Sequence, residues 1–361
     1  GMLKGLSIVF IGLLALISAC NNQPAGDVVS VEHLVRPEYA THFHFTSIDG
    51  VDCIRLQTDS VNSCLICKEE IEGAVHLTSP QFATLSTTHL SYLNKLGALS
   101  MVKASAYADY VLNAEVKGHI AAGHIQSLGD VGVPDLERTV AAGANVLLVY
   151  PYGNEDFSKL EQAGIHVIPI TEYLEQHPLG RAEWIKVFGF LTNREDEANQ
   201  LFNAIRDEYR GVMAKVANKA TPTVFTGSAE QGKWYAPSGD SFISVLIRDA
   251  GARYIFDETR GGENLTMDME ELLAATQNAE LFGKVFYASD EVTLNDFTSG
   301  DQRVETLPAV VNKRLFYCNS GTTDYFGDGV IEPHKILMDL AAIFHPELFP
   351  SHQPTYFQVF Q

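Results

Sequence analysis

Aromatic residues occur in pairs in loops that follow predicted strands. Tyrosine and tryptophan side chains offer large, stiff contact surfaces with one polar atom, and they lose little conformational entropy when a ligand binds. We therefore interpret these loops as candidate sites for non-covalent binding, the alternative for each ring being an ordinary place in the core or on the surface. The candidates are Tyr107 with Tyr110, Tyr150 with Tyr152, Trp234 with Tyr235, and Tyr325 with Phe326.

Trp234 is the strongest of these candidates. Its segment, Q-G-K-W-Y-A-P-S-G-D at 231–240, is polar, rich in Gly and Pro, and without the periodicity of a core element. Arg260, in E-T-R-G-G-E at 258–263, could hold an anionic group because a guanidinium matches the geometry of a carboxylate. The alternative for Arg260 is a solvated loop residue.

The remaining chemistry-bearing residues give weaker signals. The histidines of H-F-H at 42–44, those of H-I-A-A-G-H at 119–124, and His89 are candidates for a metal site. The H-F-H pair would share one face of a strand, which is possible for zinc, whereas the spacing of His119 and His124 does not place them on one helical face. The chain has no G-x-S-x-G, H-E-x-x-H or Walker motif, and no G-x-G-x-x-G after a strand. We therefore expect neither an intrinsic metal or cofactor nor an enzyme.

The composition is that of a globular protein, with 46% hydrophobic and 19% charged residues in a chain of 361. This length predicts two domains or lobes. The net charge of −20 argues against nucleic acid and against direct attraction to an anionic membrane.

The N-terminal residues predict export. Lys4 precedes an apolar run at 6–17, and small residues come directly before Cys20, a pattern that resembles a bacterial lipobox. We expect residues 1–20 to be a lipoprotein signal peptide, Cys20 to carry lipid, and residues 21–30 to form a tether. These features predict a membrane-anchored lipoprotein of a Gram-negative bacterium that faces the periplasm. Cys53, Cys64, Cys67 and Cys318 are then interpreted as a local disulfide or as buried thiols.

The predicted elements form two α/β series separated by one long helix. Residues 31–69 are rich in β-formers and predict a hairpin at Asp49-Gly50 as an extension of the first lobe, 31–191. Thr192 and Glu195 have the spacing of a capping box, and the apolar residues after them predict a helix over 192–218. The second lobe is 219–361. Strands alternating with short helices indicate two three-layer lobes with mainly parallel sheets, and a rigid helix between them predicts a largely pre-formed cleft for a bulky ligand.

A short acidic pattern occurs once in each lobe: D-L-E-R-T-V-A-A at 135–142 and D-M-E-E-L-L-A-A at 268–275. Acidic residues favour the first turn of a helix because the macrodipole is positive there. We assign that role to Asp135 and Asp268. The matching glutamates, Glu137 and Glu270, are left without an assignment by this argument.

These features together resemble the substrate-binding lipoproteins of ABC importers for iron complexes and cobalamin, the class III periplasmic binding proteins with a helical linker. The resemblance covers about residues 70–348 and rests on L-T-S-P-Q-F-A-T at 77–84, the 129–149 segment with the first acidic pattern, the long helix, G-D-S-F-I-S-V-L-I-R-D-A-G-A-R-Y-I-F at 239–256, and M-D-M-E-E-L-L-A at 267–274.

The resemblance implies a monomeric binding protein that captures a ferric siderophore or haem between its lobes and delivers it to an ABC permease with its ATPase. It implies that the aromatic loops and Arg260 line the cleft, and that Glu137 and Glu270 dock onto the permease. Cobalamin is the alternative cargo; a zinc or manganese receptor and an α/β enzyme are the alternatives outside this class.

Overall fold

A computed structural model describes residues 32–151 and 154–361. The predicted signal peptide, the tether, Cys20 and Tyr152 lie outside this part of the chain. Within the described residues, no helix has the length and apolar character needed to span a bilayer.

The N-terminal extension is an antiparallel sheet of four strands in sequence order: β1 (Glu32–Val35), β2 (Phe43–Ile48), β3 (Val51–Gln57) and β4 (Ser63–Cys67). The predicted hairpin is confirmed, since β2 and β3 pair on either side of Asp49 and Gly50. Both turn residues have positive φ, 50° and 80°, as a tight two-residue hairpin turn requires. Cys53 on β3 lies opposite Cys67 on β4 and forms a disulfide with it.

The first lobe contains a parallel sheet with strand order β7-β6-β5-β8-β9. Its strands are short, and the central ones are buried; all four residues of β8, V-L-L-V, are buried, as expected for a sheet covered on both faces. The strands are β5 (Phe82–Thr84), β6 (Val102–Ser105), β7 (Gln126–Ser127), β8 (Val146–Val149) and β9 (His166–Pro169), and the helices are α1 (Thr87–Lys95), α2 (Ala114–Ala121), α3 (Leu136–Ala141), α4 (Ser158–Gln162), α5 (Pro178–Glu183) and α6 (Ile185–Leu191).

Two buried carboxylates join the extension to this lobe. Glu183 accepts the backbone N–H groups of residues 38–40 at 2.7–2.9 Å. Glu175 accepts those of Thr41 and His42 at 2.7–2.8 Å. Hydrogen bonds to charged acceptors are stronger than those between neutral groups, so the extension is held firmly on the α5–α6 side of the lobe.

The long helix α7 (Glu195–Val216) connects the lobes, and it packs against α6 of the first lobe and α12 of the second. Its 22 residues span about 33 Å. A buried apolar stripe recurs every three or four residues from Ala198 to Val216 and belongs to a core shared by both lobes. A helix buried on this scale favours a fixed lobe arrangement.

The predicted capping box is wrong. The helix begins at Glu195 with Arg194 as its N-cap, and no side chain caps it. Thr192 instead ends α6, where its hydroxyl donates to the carbonyl of Phe188 at 2.7 Å. Asn193, with φ 55°, then turns the chain into α7.

The second lobe repeats the design. Its main sheet has the order β13-β10-β15-β16-β17, parallel except for the last strand. A separate antiparallel sheet has the order β11-β12-β14. The strands are β10 (Thr223–Thr226), β11 (Ser228–Glu230), β12 (Lys233–Ala236), β13 (Arg253–Tyr254), β14 (Leu265–Asp268), β15 (Leu281–Phe286), β16 (Leu315–Asn319) and β17 (Gln358–Val359), and the helices are α8 (Phe242–Asp249), α9 (Met269–Ala275), α10 (Leu294–Thr298), α11 (Pro308–Val311) and α12 (Pro333–Phe344). The predicted fold class, two α/β lobes with mainly parallel sheets and one long helix between them, is confirmed.

Candidate functional site

Tyrosines meet where the strands of the first-lobe sheet end. Tyr107 follows β6, Tyr150 follows β8, and Tyr173 follows β9. Because carboxyl ends of parallel strands share one sheet edge, their following loops converge there. They border a cavity of about 570 Å³, here called the tyrosine cavity, which is lined by Leu85, Ser86, Thr87, Thr88, Tyr107, Tyr110, Tyr150, Glu172 and Tyr173.

The rings of the tyrosine cavity are held in place by their neighbours. Tyr107 and Tyr110 have ring centroids 6.2 Å apart, and Tyr150 meets Tyr173 edge to face at 6.5 Å. Tyr107 has φ 54°, a left-handed conformation that is unfavourable for a bulky residue and that places its ring here. The Tyr173 hydroxyl donates to the carbonyl of Pro151 at 2.9 Å. Three predicted residues, Tyr107, Tyr110 and Tyr150, therefore line one cavity.

Glu172 lines the candidate site and was not among the residues predicted from the sequence. It lines the tyrosine cavity, is only 6% exposed, and one of its carboxylate oxygens, Oε2, has no hydrogen-bond partner. Burial raises the pKa of Glu172 to about 7, while Arg181 and the backbone N–H groups of residues 172 and 173 act in the opposite direction. The signal that could have found it is its place in the loop after β9.

A second cavity, of about 530 Å³, lies between the lobes and is here called the inter-lobe cavity. It shares Tyr173 with the tyrosine cavity, so the two adjoin. Its residues come from the loop after β9, from α5, and from the second lobe: Tyr173, Leu174, Glu175, Gln176, Arg181, Ser241, Phe242, Ile243, Gly261, Gly262, Glu263, Tyr325, Phe326 and Val330. The predicted residues Tyr325 and Phe326 are thus placed at this boundary.

Arg181 is the cation of the inter-lobe cavity. Its guanidinium donates to the backbone carbonyls of Glu175 and Tyr173 at 2.9 and 3.3 Å and lies 4.1 Å from the centre of the Phe242 ring. Burial lowers the pKa of Arg181, with Tyr325 and Glu172 opposing that shift. Arg181 thus offers a positive group at the junction of the lobes, the role that the sequence analysis gave to Arg260.

Direct contacts close the base of this junction. The Thr88 hydroxyl on α1 donates to the Phe326 carbonyl at 2.5 Å, and the Asn113 side-chain amide donates to Asp328 at 2.9 Å. Both bonds connect the first lobe to the second. They support a cleft whose lobes are already in contact before a ligand enters.

The prediction for Trp234 is wrong. Its side chain has no exposed surface and packs in the core of the second lobe beside Phe225 and Phe282, with ring centroids 6.3 and 5.8 Å away. The segment that resembled a loop contains β12, and the three-stranded sheet places alternate residues on opposite faces. Trp234 faces inward for that reason.

Tyr235 and Arg260 do not line either cavity. Tyr235, on β12, is half-buried opposite Thr266. The exposed Arg260 donates to the carbonyls of Asp257 and Thr259 at 2.6 and 2.8 Å, so its guanidinium stabilises its own loop. Tyr152 lies outside the described residues.

The histidines have separate places. His89 is buried, its Nδ1 is 2.6 Å from the Thr84 hydroxyl, and burial lowers its pKa to about 3. His119 and His124 have ring centroids 5.6 Å apart, although their sequence spacing did not predict proximity. Across residues 32–151 and 154–361, no three His, Cys, Asp or Glu residues form a group that could hold a metal ion.

The two acidic patterns adopt the same geometry. Asp135 caps α3 by accepting the Arg138 N–H at 2.8 Å, and Asp268 caps α9 by accepting the Glu271 N–H at 2.8 Å. Both aspartates thus stabilise a helix start, but as N-cap residues, whereas the acidic residues of the two first turns include Glu137 and Glu270. Glu137 and Glu270 follow two positions later, and both are exposed. Neither has an ion pair within the described part of the chain.

The chain has relatives among archaeal proteins. It is 30% identical over 246 residues to an uncharacterized lipoprotein of Methanocaldococcus jannaschii, a match that covers 67% of this chain and 58% of the relative. A second lipoprotein from the same organism is also matched over 58% of its length, at 24% identity. The chain thus spans less than two thirds of these curated relatives.

Solved structures share the fold at low sequence identity. A periplasmic binding protein from Veillonella parvula has a TM-score of 0.63 at 12% identity, with coverage of 80% of this chain and 97% of that one. A periplasmic haem-binding protein from Pseudomonas aeruginosa has a TM-score of 0.58 at 15% identity (76% and 94%). The Fe3+-Desferal-bound siderophore-binding protein FhuD from Vibrio cholerae has a TM-score of 0.56 at 14% identity (74% and 100%).

A family model covers most of both lobes. Residues 83–322 match the model described as periplasmic binding protein, a span that runs from β5 through α7 to the loop after β16. The match includes every described residue of the tyrosine cavity and eleven of the fourteen that line the inter-lobe cavity, while Tyr325, Phe326 and Val330 lie beyond it. The chain belongs to the periplasmic binding protein family.

Proposed function

We propose that this protein captures a bulky metal chelate, a ferric siderophore or haem, in the cleft between its lobes. The observation that carries the proposal is the adjoining pair of cavities, of about 570 and 530 Å³, which meet at Tyr173. Each volume is within the range of ligand sites, and their walls combine aromatic rings with a few polar groups. The solved neighbours that bind haem and Fe3+-Desferal support this class of cargo.

Delivery to an ABC permease with its ATPase is the second part of the proposal. Glu137 and Glu270 occupy equivalent positions on α3 and α9, one on each lobe, and both are exposed and unpaired among the described residues. A pair of carboxylates related by the lobe repeat fits a pair of cations on a two-fold symmetric membrane partner. Exposed charges of this kind orient a complex more than they tighten it.

Anchoring through lipid on Cys20 is the third part. The curated relatives carry the name lipoprotein, which supports it. The Gram-negative host and the monomeric state stay predictions, and the two relatives named above come from an archaeon.

The cargo is tested by calorimetric titration of the purified protein with Fe3+-Desferal, haem and cobalamin, and with ZnCl2 before and after EDTA. We expect one of the iron chelates to bind with a one-to-one stoichiometry. Binding of zinc alone, reversed by EDTA, or of cobalamin alone would contradict the proposed cargo.

The location of the site is tested in the same assay. Tyr173 borders both cavities, so Tyr173→Ala removes a shared wall, and we expect affinity to fall by about 2 kcal/mol, or roughly 30-fold. Met213→Ala on the exposed face of α7 is the matched truncation away from the cleft, and it should leave affinity unchanged. Equal affinities for the two variants would exclude this cleft.

A further inference from the structure

The charged side chains in and around the tyrosine cavity that are described below are negative. Among its described lining residues, Glu172 is the one charged side chain. Further carboxylates surround the rings: Tyr110 donates to Asp130 at 3.3 Å, and its pKa is raised by Asp130 first and also by Asp109. The pKa of Tyr150 is raised by burial, by Tyr107 and by Glu155. The phenol groups thus lie in a negative electrostatic environment.

The charge of Glu172 is only partly compensated inside the protein, because Arg181 and the backbone N–H groups of residues 172 and 173 favour the carboxylate form but burial outweighs them. Oε2 is buried and accepts no hydrogen bond, although a carboxylate without partners is costly to bury. The nearest cation in the site, Arg181, directs two of its donors to the carbonyls of Glu175 and Tyr173. No ion pair within 4.0 Å joins Arg181 to Glu172. A cationic group of a ligand beside Oε2 would remove this cost.

The aromatic walls of the tyrosine cavity also favour a cation. Tyr107, Tyr110, Tyr150 and Tyr173 present their rings around one volume. The face of an aromatic ring carries partial negative charge and attracts ammonium groups, most strongly where water is excluded. Tyrosine rings with a carboxylate in the wall form a combination that stabilises a cation and disfavours an anion.

The inter-lobe cavity has the opposite preference at one point. The N–H groups of Gly261 and Gly262 already donate to Asp240, so the guanidinium of Arg181 is the positively charged donor among the described lining residues there. Anionic or carbonyl oxygens of a ligand match such donors. The site as a whole is therefore polarised, with a cation-attracting end in the first lobe and the Arg181 guanidinium at the lobe junction.

We propose that the cargo is an iron chelate bearing a free amine or ammonium group, which enters the tyrosine cavity and pairs with the Glu172 carboxylate while the chelate oxygens face Arg181. This inference rests on the proposed function. Of the cargoes proposed there, it favours cationic iron chelates and disfavours haem, which carries two negative charges. Glu172 is in this account the residue that determines specificity.

The test compares two probes that differ in one charge. Fe3+-Desferal ends in an ammonium group, and its N-acetylated form is neutral at that end with the same iron centre. Both complexes, and haem, are titrated calorimetrically at pH 8 into the protein, into Glu172→Gln and into Glu197→Gln. Glu197 is an exposed carboxylate on the first turn of α7 and serves as the control.

We expect the ammonium form to bind at least about tenfold more tightly than the acetylated form, because a charge pair in a low-dielectric cavity is only weakly screened. In Glu172→Gln this ratio should fall to near one because the ammonium form binds more weakly, and a circular dichroism spectrum equal to that of the unmodified protein shows that the variant is folded. In Glu197→Gln the ratio should be unchanged.

Two outcomes overturn the inference. Equal affinity of the unmodified protein for both Desferal complexes, or tighter binding of haem than of either, would contradict a cation site while leaving an iron-chelate receptor in place. Failure of all three iron complexes to bind would contradict the proposed function itself, and the inference with it.

Discussion

Burial of Glu172 lowers the stability of the ligand-free protein, and its neighbours offset this loss only in part. Its pKa of about 7 lies above the usual carboxyl value of 4.5 because burial disfavours the charged form. Between these two values the unfolded chain releases a proton that the folded chain retains. The stabilising contribution is thus present at low pH and lost as pH rises through about 7.

This cost gives a prediction for Glu172→Gln, which cannot titrate. Relative to the unmodified protein, the variant should gain about 2–3 kcal/mol of unfolding free energy between pH 5 and pH 8. Urea unfolding at both pH values measures the change, with Glu197→Gln as the control. A pH-independent difference between variant and parent would show that Glu172 is ionised throughout.

Trp234 was predicted to contact the ligand, but it belongs to the core of the second lobe. Trp234→Ala should lower the free energy of unfolding by about 3–5 kcal/mol, since it removes a completely buried ring beside Phe225 and Phe282. Urea unfolding measures this loss. If the variant kept its stability and lost only ligand affinity, the assignment to the core would be wrong.

At the scale of the elements, α7 packs against helices of both lobes, and it takes part in a polar junction. The Tyr209 hydroxyl donates to the buried carboxylate of Asp249 on α8 at 2.6 Å. His177, from the first lobe, has Nε2 3.9 Å from the same carboxylate. Linker and both lobes therefore meet at Asp249.

Removing the Tyr209 hydroxyl should weaken this junction at Asp249. Tyr209→Phe leaves the Asp249 carboxylate with one fewer partner, and we expect a loss of about 1–3 kcal/mol in unfolding free energy. Tyr110→Phe removes an exposed hydroxyl and should change stability by less than about 0.5 kcal/mol. Similar values for the two variants would show that the junction does not stabilise the lobe arrangement.

The elements also show what the sequence could predict. The stripe of α7 and the buried run of β8 are long or strongly patterned, so their types were predicted correctly. The start of α7 was not, because Thr192 ends the preceding helix in the structure. The strands around Trp234 have only three or four residues and polar neighbours, so nothing local distinguished them from a loop.

The same reasons apply to the site. Tyr107, Tyr110 and Tyr150 could be proposed from the sequence because they follow strands of a parallel sheet, and they line one cavity. Glu172 follows β9 in the same way, but its short segment has no aromatic pair or charge cluster that marks it. Arg181 lies on α5, and its position between the lobes depends on long-range packing that no local pattern contains.

At the scale of the whole molecule, the shared core around α7 predicts little movement on binding. Residues of α7 belong to one continuous buried cluster with both lobes, and hydrogen bonds from Thr88 and Asn113 cross between them. We expect the radius of gyration to change by less than about 1 Å when the cargo binds, as in other pre-organised sites. Small-angle X-ray scattering with and without Fe3+-Desferal measures this; a larger contraction would indicate a hinge.

The docking proposal also belongs to this scale. Reversing both charges, Glu137→Lys with Glu270→Lys, should abolish uptake in cells that carry the permease and leave calorimetric affinity for the chelate unchanged, since both residues are exposed and neither lines the described cavities. Reversal of Glu197 is the control. Parallel loss of uptake and ligand affinity would refute a docking role.

The most direct test of a chelate site between the lobes is a crystal of the protein with Fe3+-Desferal, with diffraction data collected at the iron absorption edge. The account predicts one anomalous peak in the adjoining cavities, between the tyrosines that follow β6, β8 and β9 and the Tyr325 loop. A peak elsewhere, such as the surface pocket bordered by Phe349 and Phe357, or no bound iron at saturating concentration, would contradict it.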